Sequence, residues 1–478
     1  MAELVTPPLG EPELIVVFKA DSNIHSSSRG LESPASDVST LNGILDQYGC
    51  SIKPLFGLSE DRLRRQQTEV AASAPDDEPV PDLNTFYQVT APSGTLELLA
   101  ERLNSEDLVD AAYVKPGGAP PHTFDQLTPE DAPAMTPDFS ANQGYLGVAP
   151  AGIDARFAWT RPGGGGKGVR VIDCEWAWRF THEDLLVNQG GVVAGSSVGD
   201  SNHGTAVVGV LSGDRNTYGI LGIVPDATIG ASSFATQATA TAIKVAADKL
   251  WPGDLILLEI HRPGPRTPNP PQGQLGYIAI EWWPDDFAAI RYAVAKGITV
   301  VEAAGNGSQN LDDPIYNIRP VGFPSTWQNP FNAANPSSGA VVVGAGAPPP
   351  GTHGRDWGPD RSRLGFSNWG NRVDCQGWGR EVTSTGYGDL QGGADPDLHY
   401  TNIFSGTSSA SPIVTGAIAS VQGCRREAGK RHLNPAQIRP LLRTGNSPQQ
   451  DAPGRPATQR IGPRPNLRTL IPAAMLLP

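Results

Sequence analysis

From about residue 143 onward, short apolar runs alternate with stretches that have helical spacing. The runs at 255–258 and 340–343 are continuously apolar, as expected for strands that are buried on both faces. Apolar residues at 239–249 and 284–296 recur at the spacing of one helix face. Strands separated by helices pair in parallel. The pattern therefore predicts a doubly wound α/β domain, with a mostly parallel sheet, over residues 143–446.

Residues 1–114 follow a different pattern, which predicts three strands and two helices in the order β-α-β-α-β. The predicted strands lie at 14–18, 86–89 and 111–114, and the predicted helices at 37–49 and 96–103. This order is typical of a split βαβ, ferredoxin-like α+β unit. We expect a small separate domain, which either serves the larger domain or is an unrelated adaptor.

Three segments have the composition of irregular structure. Residues 60–82 are rich in Glu, Asp, Ala and Pro and are expected to form a mobile insertion. Residues 115–142 are dense in Pro and Gly, which predicts an extended, exposed linker and the place of any maturation cleavage. The Pro- and Arg-rich tail, 447–478, is expected to lie on the surface.

Composition excludes some classes of function. The formal net charge is -13 and Lys and Arg form no long block, which argues against a nucleic-acid partner. No apolar run approaches the roughly 18 residues that span a membrane. The four cysteines fit no zinc pattern and are expected to be free thiols, which suits a reducing compartment. The chain opens without the basic and apolar regions of a signal peptide, so we expect a cytoplasmic protein, or a secreted one if a leader has been removed.

Polar residues lie at the ends of several predicted elements, at the edge of the sheet where doubly wound folds bind ligands. Asp173 ends a predicted strand, either as a loop cap or as a functional carboxylate. His203 opens a helix of small residues, either as a structural histidine or as one that faces a cleft. Asn306 follows another strand, either as a turn residue or as an amide donor.

Ser408 follows a glycine turn, and apolar spacing after it predicts a helix that starts at Ser408 as its cap residue. Pro412 would then fall among the first four helical residues, where a missing N–H costs little. A hydroxyl there lies beside free N–H groups and the positive end of the helix dipole, where an oxyanion is stabilised. The alternative is a serine-rich cap on a buried helix.

Four segments, in this order, resemble the motifs of the subtilases, the subtilisin-like serine peptidases. They are Val171-Ile172-Asp173, Asn202-His203-Gly204-Thr205, Ala304-Gly305-Asn306, and Gly406-Thr407-Ser408 with Ala410 and Pro412. The resemblance implies a triad of Asp173, His203 and Ser408, with Asn306 and the Ser408 N–H forming an oxyanion hole. One departure is that Cys174-Glu175-Trp176 follow Asp173, where the family has a small residue and then glycine.

The same resemblance implies the reaction. A serine endopeptidase would hydrolyse peptide bonds of a protein or peptide substrate through an acyl-enzyme, with no cofactor for the chemistry. Residues 1–114 are similar to the family's prodomain, so the N-terminal domain is expected to act as an intramolecular inhibitor of a precursor. The alternatives are an acyl-transfer enzyme, such as a transpeptidase or cyclising enzyme, and a silent peptide-binding module.

Substrate and metal contacts are further implications of the resemblance. The predicted substrate-binding residues are Leu258, Glu259, Ile260, His261, Ala304 and Gly305. Glu259 either pairs with Arg262 or faces the cleft and favours basic or polar side chains. Asp184 and Asn216 lie where the family binds calcium, so a structural calcium ion is expected there.

Overall fold

A seven-stranded parallel sheet forms the centre of the larger part of the chain. The computed structural model describes residues 10–28, 30–57, 59–74, 80–92, 94–122 and 133–478. The strand order is β15-β14-β13-β10-β7-β9-β8, with every neighbouring pair parallel. This sheet confirms the predicted doubly wound α/β class.

The strands and helices of the larger part have the following bounds. The strands are β7 (Arg170–Glu175), β8 (Gln189–Ala194), β9 (Thr228–Ser233), β10 (Leu255–Leu258), β11 (His261–Pro263), β12 (Tyr277–Ala279), β13 (Thr299–Ala303), β14 (Val341–Gly346), β15 (Cys375–Trp378), β16 (Val382–Thr385) and β17 (Tyr400–Phe404). The helices are α4 (Ala155–Ala158), α5 (Asn202–Ser212), α6 (Thr239–Lys249), α7 (Pro284–Ala295), α8 (Thr407–Glu427), α9 (Pro435–Arg443) and α10 (Leu467–Leu476).

Alternate residues of the central strands pack on opposite layers of helices. Leu255 and Leu257 of β10 face the core that contains α5 and α8, whereas Ile256 and Leu258 face the core that contains α6 and α7. Both faces are therefore covered, which is why these strands are continuously apolar. The same alternation places residues 171, 173 and 175 of β7 on one face.

The N-terminal part is an antiparallel sheet in the order β4-β5-β1-β6. Its strands are β1 (Glu13–Phe18), β2 (His25–Ser27), β3 (Gly30–Glu32), β4 (Ser51–Pro54), β5 (Phe86–Thr90) and β6 (Val109–Lys115), and its helices are α1 (Ser39–Gln47), α2 (Glu60–Ser73) and α3 (Leu96–Asn104). The additional short strands β2 and β3 pair with each other.

One face of the N-terminal sheet is buried against the larger part of the chain. Leu14 and Val16 pack with the helices of their own domain, whereas Ile15 and Val17 share a hydrophobic cluster with residues of α6 and α7. Lys115, at the end of β6, is fully buried and forms ion pairs with Asp285 and Asp286 at the start of α7. The two parts therefore form one continuous core.

Three expectations for irregular segments were wrong. Residues 60–73 form α2, because Leu63 and Val70 are buried against the shared core; residues 75–79 of the expected insertion lie outside the described residues. The tail contains α10, whose apolar face packs into the core, and Arg464 is fully buried. The expectation of an exposed linker was wrong for residues 117–119, 121 and 122, which are buried, whereas residues 133–142 are exposed or half-buried and 123–132 lie outside the described residues.

Two helices at the C-terminal side have well-defined starts. Helix α8 begins at Thr407, one residue before the predicted start, so Pro412 is its sixth residue. Helix α9 begins after Asn434, with a capping box of Asn434 and Gln437. The four cysteines are free thiols, and no helix among the described residues is long and apolar enough to cross a membrane.

Candidate active site

Ser408 is the second residue of α8, where its backbone N–H has no partner within the helix. This N–H donates a hydrogen bond of 3.2 Å to the carbonyl oxygen of Pro121. Gly406, just before the helix, has a φ of 108°, and a Cβ there would lie 2.1 Å from the same Pro121 oxygen. Only glycine leaves space for this carbonyl beside the helix N-terminus.

His203 is the second residue of α5 and is 3% exposed. Its Nδ1 lies 2.7 Å from Oε2 of Glu175, and its ring contacts the edge of the Phe404 ring. Burial lowers the pKa of His203 to about 3. The Nε2 of His203 and the Oγ of Ser408 are both buried, and neither forms a hydrogen bond of normal geometry within the described part of the chain. The imidazole is therefore held neutral with one nitrogen free.

The contact predicted for Asp173 is made by Glu175, two residues further along the same strand. Oδ2 of Asp173 accepts instead a 2.7 Å hydrogen bond from Nε1 of Trp178. Side chains two residues apart in a strand point to the same face. Glu175 is the last residue of β7, at the edge of the sheet where α5 starts, so its carboxylate reaches the ring of His203.

Three carboxyl groups form a buried cluster on this face of the sheet: Asp173, Glu175 and Glu259. Burial, and then the charge of Glu175, raise the pKa of Asp173 well above its ordinary value. Burial also raises the pKa of Glu175, and burial together with the charge of Asp173 raises that of Glu259. No Lys or Arg side chain forms an ion pair with any of the three in the described residues. Each carboxyl group of the cluster therefore binds its proton more tightly than an exposed one.

Asn306 follows β13 and points to the start of α8. Its Oδ1 accepts hydrogen bonds from the backbone N and the Oγ1 of Thr407, at 3.0 and 2.9 Å. Its Nδ2 donates a 2.9 Å hydrogen bond to Oε1 of Gln274. The predicted oxyanion residue therefore lies next to the predicted nucleophile, with its amide nitrogen directed away from Thr407.

The residues predicted to bind substrate divide into cleft and core. His261 pairs in antiparallel fashion with Ala119, with both hydrogen bonds at 3.1 Å, and Ile260 lies against Gly118. Leu258 and Ala304 belong to the hydrophobic core, which also includes the side chain of Ile260. Gly305 has a φ of 93° and forms the turn before Asn306.

Glu259 does not form the ion pair with Arg262 that the sequence analysis considered. Its carboxylate accepts a hydrogen bond from Oγ of Ser411, and the nearby Ser408 hydroxyl partly offsets the rise in its pKa. Arg262 is bound by Thr239, by the carbonyl of Pro116 and by Glu13. The alternation of the strand explains this, because Glu259 points under α8 whereas Arg262 points toward the N-terminal domain.

Residues 116–122 lie in the cleft as an extended segment. Besides the pairing at Ala119, the carbonyl of Pro120 accepts a 2.9 Å hydrogen bond from Nε2 of Gln274. The ring of His122 lies 4.9 Å from the ring of His203. In an antiparallel pair, the next hydrogen-bonded position after Ala119 is residue 121, which is proline and has no N–H to donate.

The predicted calcium ligands contact each other. Oδ1 of Asp184 accepts a hydrogen bond from Nδ2 of Asn216, and its Oδ2 accepts one from the Ile220 N–H. Oδ1 of Asn216 in turn accepts from the Tyr218 N–H. Burial raises the pKa of Asp184 to about 7. The side-chain oxygens are thus engaged, and the described residues contain no group of three acidic, His or Cys side chains that could hold a metal.

The sequence analysis did not identify Glu175 or Gln274 as site residues, or the position of residues 116–122 in the cleft. A signal for Glu175 was present, because it shares a strand face with Asp173 and replaces the glycine expected there. Gln274 lies in the loop between β11 and β12 and carried no motif.

Two proteases of known name are similar in sequence to this chain. The extracellular protease of Xanthomonas campestris pv. campestris is 26% identical over 364 residues, which cover 66% of this chain and 52% of that protein. The intracellular serine protease of Paenibacillus polymyxa is 26% identical over 326 residues, which cover 63% of this chain and 82% of that protein. This chain thus spans about half the length of the first relative.

A solved structure has a similar fold. Fervidolysin from Fervidobacterium pennivorans, a keratinolytic enzyme related to subtilisin, aligns with a TM-score of 0.55 at 17% identity, covering 98% of this chain and 62% of that one. The model of the subtilase family matches residues 193–460, which is more than half of the chain. The chain therefore belongs to the subtilase family of serine peptidases.

Proposed function

We propose that this chain is a serine endopeptidase made as a self-inhibited precursor, with Ser408 as nucleophile, His203 as general base and Glu175 as the carboxylate that orients His203. The observation that carries the proposal is the hydrogen bond from the Ser408 N–H to the Pro121 carbonyl, which matches a substrate carbonyl in an oxyanion site. Because Glu175 holds Nδ1, Nε2 of His203 is free to accept the Ser408 proton.

The reaction follows from these roles. Ser408 Oγ attacks a substrate carbonyl carbon while His203 takes the hydroxyl proton, and the oxyanion faces the Ser408 N–H and Asn306. His203 then gives the proton to the leaving amine, which produces an acyl-enzyme. Water, deprotonated by His203, releases the acyl group as a carboxylic acid.

The segment in the cleft supports one bond as the site of processing. The Pro121 carbonyl is bound at Ser408 and the His122 ring lies beside His203, so the Pro121–His122 bond is in the position of the bond to be cut. Its amine, on His122, would leave on the side of the general base.

The N-terminal domain is proposed as the inhibitor of this site. It shares a hydrophobic cluster with α6 and α7, and the buried ion pairs of Lys115 tie it to α7 immediately before residues 116–122 enter the cleft. An interface of this kind would keep the N-terminal domain near the site after cleavage, so that the first product competes with added substrates for the cleft.

Intact-mass analysis of the full chain tests the proposal. Wild type should give fragments that end at Pro121 and begin at His122, whereas Ser408→Ala should stay whole. Ser420→Ala is the matched control, because it removes another buried hydroxyl from α8 that contacts Gly164. A wild-type chain that stays whole and is not labelled by a fluorophosphonate would overturn the proposal. An added amine acceptor in the same assay separates hydrolysis from acyl transfer.

A structural calcium ion held by Asp184 and Asn216 is a separate part of the proposal. It is supported by the buried, adjacent positions of Asp184 and Asn216, and opposed by the hydrogen bonds that already engage their oxygens. A thermal midpoint that falls on adding a chelator would support calcium binding, and an unchanged midpoint would remove it from the proposal.

A further inference from the structure

The side-chain amide of Gln274 links the segment in the cleft to Asn306. Its Nε2 donates to the Pro120 carbonyl at 2.9 Å, and its Oε1 accepts from Nδ2 of Asn306 at 2.9 Å. The backbone of its loop is held as well, since the Tyr277 N–H donates to the Gln274 carbonyl and the Gly276 N–H to that of Gly307. Gln274 therefore contacts both the segment in the cleft and Asn306, the predicted oxyanion residue.

The orientation of both amides is determined by their neighbours. A backbone N–H can only donate, so the bond from the Thr407 N–H requires that Asn306 present its oxygen to Thr407. The Asn306 nitrogen must then face Gln274, which must present its oxygen. The Gln274 nitrogen is left for Pro120, whose carbonyl can only accept. The chain of hydrogen bonds thus runs in one direction from Thr407 to the segment in the cleft.

We propose that Gln274 binds substrate and positions Asn306. It donates to the backbone carbonyl of the substrate residue that is second on the N-terminal side of the bond to be cut, and it orients the Asn306 amide toward the oxyanion. The inference rests on the proposed function and extends it to a residue outside the predicted motifs. The proposal therefore distinguishes substrates that have this second carbonyl, which Gln274 can bind, from substrates that lack it.

The physical basis is that the Asn306 amide has two N–H groups. Gln274 takes one, which fixes the amide plane and leaves the other for the oxygen of the attacked carbonyl. Loss of one oxyanion donor typically costs about 10²–10³ in kcat, and a donor that is present but poorly oriented costs a part of that. Loss of the hydrogen bond to the substrate carbonyl should raise KM by about three- to tenfold.

The test compares Gln274→Leu with Gln272→Leu, an exposed glutamine of the same loop. One substrate is acetyl-Gly-Ala-Pro-Pro-p-nitroanilide, which copies residues 118–121, and the other is p-nitrophenyl acetate, which has no second carbonyl. With the peptide, Gln274→Leu should lower kcat about tenfold or more and raise KM. With the acetate, kcat/KM should fall only by the factor lost from kcat. Gln272→Leu should match wild type on both.

The double variant with Asn306→Ala separates positioning from structural damage. In that background, Gln274→Leu should raise KM for the peptide and leave kcat unchanged, because the donor that it orients is gone. A further fall in kcat there, a change in KM alone in the wild-type background, or no difference from Gln272→Leu would each overturn the inference. If wild type cleaves neither substrate, the proposed function fails instead.

Discussion

Two clusters of buried carboxylates lie on the central sheet, and only one of them is paired with arginines. In the first, which we call the catalytic cluster, Asp173, Glu175 and Glu259 have a histidine, a tryptophan and a serine as partners. In the second, the arginine cluster, Glu281 and Asp374 are bound by Arg372, Arg439 and Arg443 at 2.6–3.1 Å.

The difference appears in the pKa values. Burial alone would raise the pKa of Asp374, but the charges of Arg439, Arg372 and Arg443 bring it below the ordinary value. In the catalytic cluster burial acts without such compensation and raises the pKa of Asp173 and Glu175. The arginine pairing of Glu281 and Asp374 is typical of a structural cluster, whereas carboxylates without such pairing beside a histidine and a serine are typical of a site built for proton transfer.

The largest expected effect is on activity, at the carboxylate that contacts His203. Glu175→Gln should lower kcat by about 10⁴, because a neutral amide neither fixes the imidazole tautomer nor stabilises its cation. Asp173→Asn is the matched variant and should lower kcat by about tenfold or less. Steady-state kinetics on a peptide substrate measures both. A reversed order would return the role to Asp173, as the sequence analysis predicted.

The next effect is on stability, in the arginine cluster. Arg372→Met should lower the free energy of unfolding by about 3–5 kcal/mol, because it leaves Glu281 with uncompensated buried charge and removes one of the three arginines that pair with Asp374. Lys167→Met removes one half of an exposed ion pair with Glu427 and should cost about 1 kcal/mol or less. Urea unfolding, with both changes made in Ser408→Ala so that the chain stays whole, measures the two. Equal costs would contradict the comparison.

The smallest expected effect is the pH dependence of folding stability that Glu259 causes. Its pKa is raised in the fold, so the folded chain keeps a proton that the unfolded chain loses above a pH of about 4.5. Wild type therefore loses stability as the pH rises through that value, whereas Glu259→Gln does not. The difference between the thermal midpoints of Glu259→Gln and of the chain with Glu259 should increase in favour of the variant from pH 4.5 to pH 8. Both chains again carry Ser408→Ala. A difference that shrinks with pH would show that Glu259 is stabilised as an anion.

Local patterns in the sequence were sufficient for the architecture of the larger domain. Continuous apolar runs predicted the strands, and residues 239–249 and 255–258 were placed at the bounds of α6 and β10. Local reasoning failed where an apolar face depends on a distant partner. Residues 60–73 have low apolar content, and they form α2 because Leu63 and Val70 bury against the other domain.

The candidate site shows the same division. The residues proposed for the chemistry, His203, Asn306 and Ser408, were named from motifs at the ends of predicted elements, and ligands of doubly wound sheets bind at the carboxyl edge of the strands. The choice between Asp173 and Glu175 was not readable, because both point to the same face and only the position of α5 decides which one meets the ring.

The sequence alone determined the fold class, the family and the order of the functional segments, because each follows from residues close together along the chain. The tertiary structure decided which carboxylate contacts His203, that Gln274 joins Asn306, and that residues 116–122 fill the cleft. Those outcomes depend on distances between segments that are far apart in sequence, and such distances are set by the packing of the two domains on one shared core.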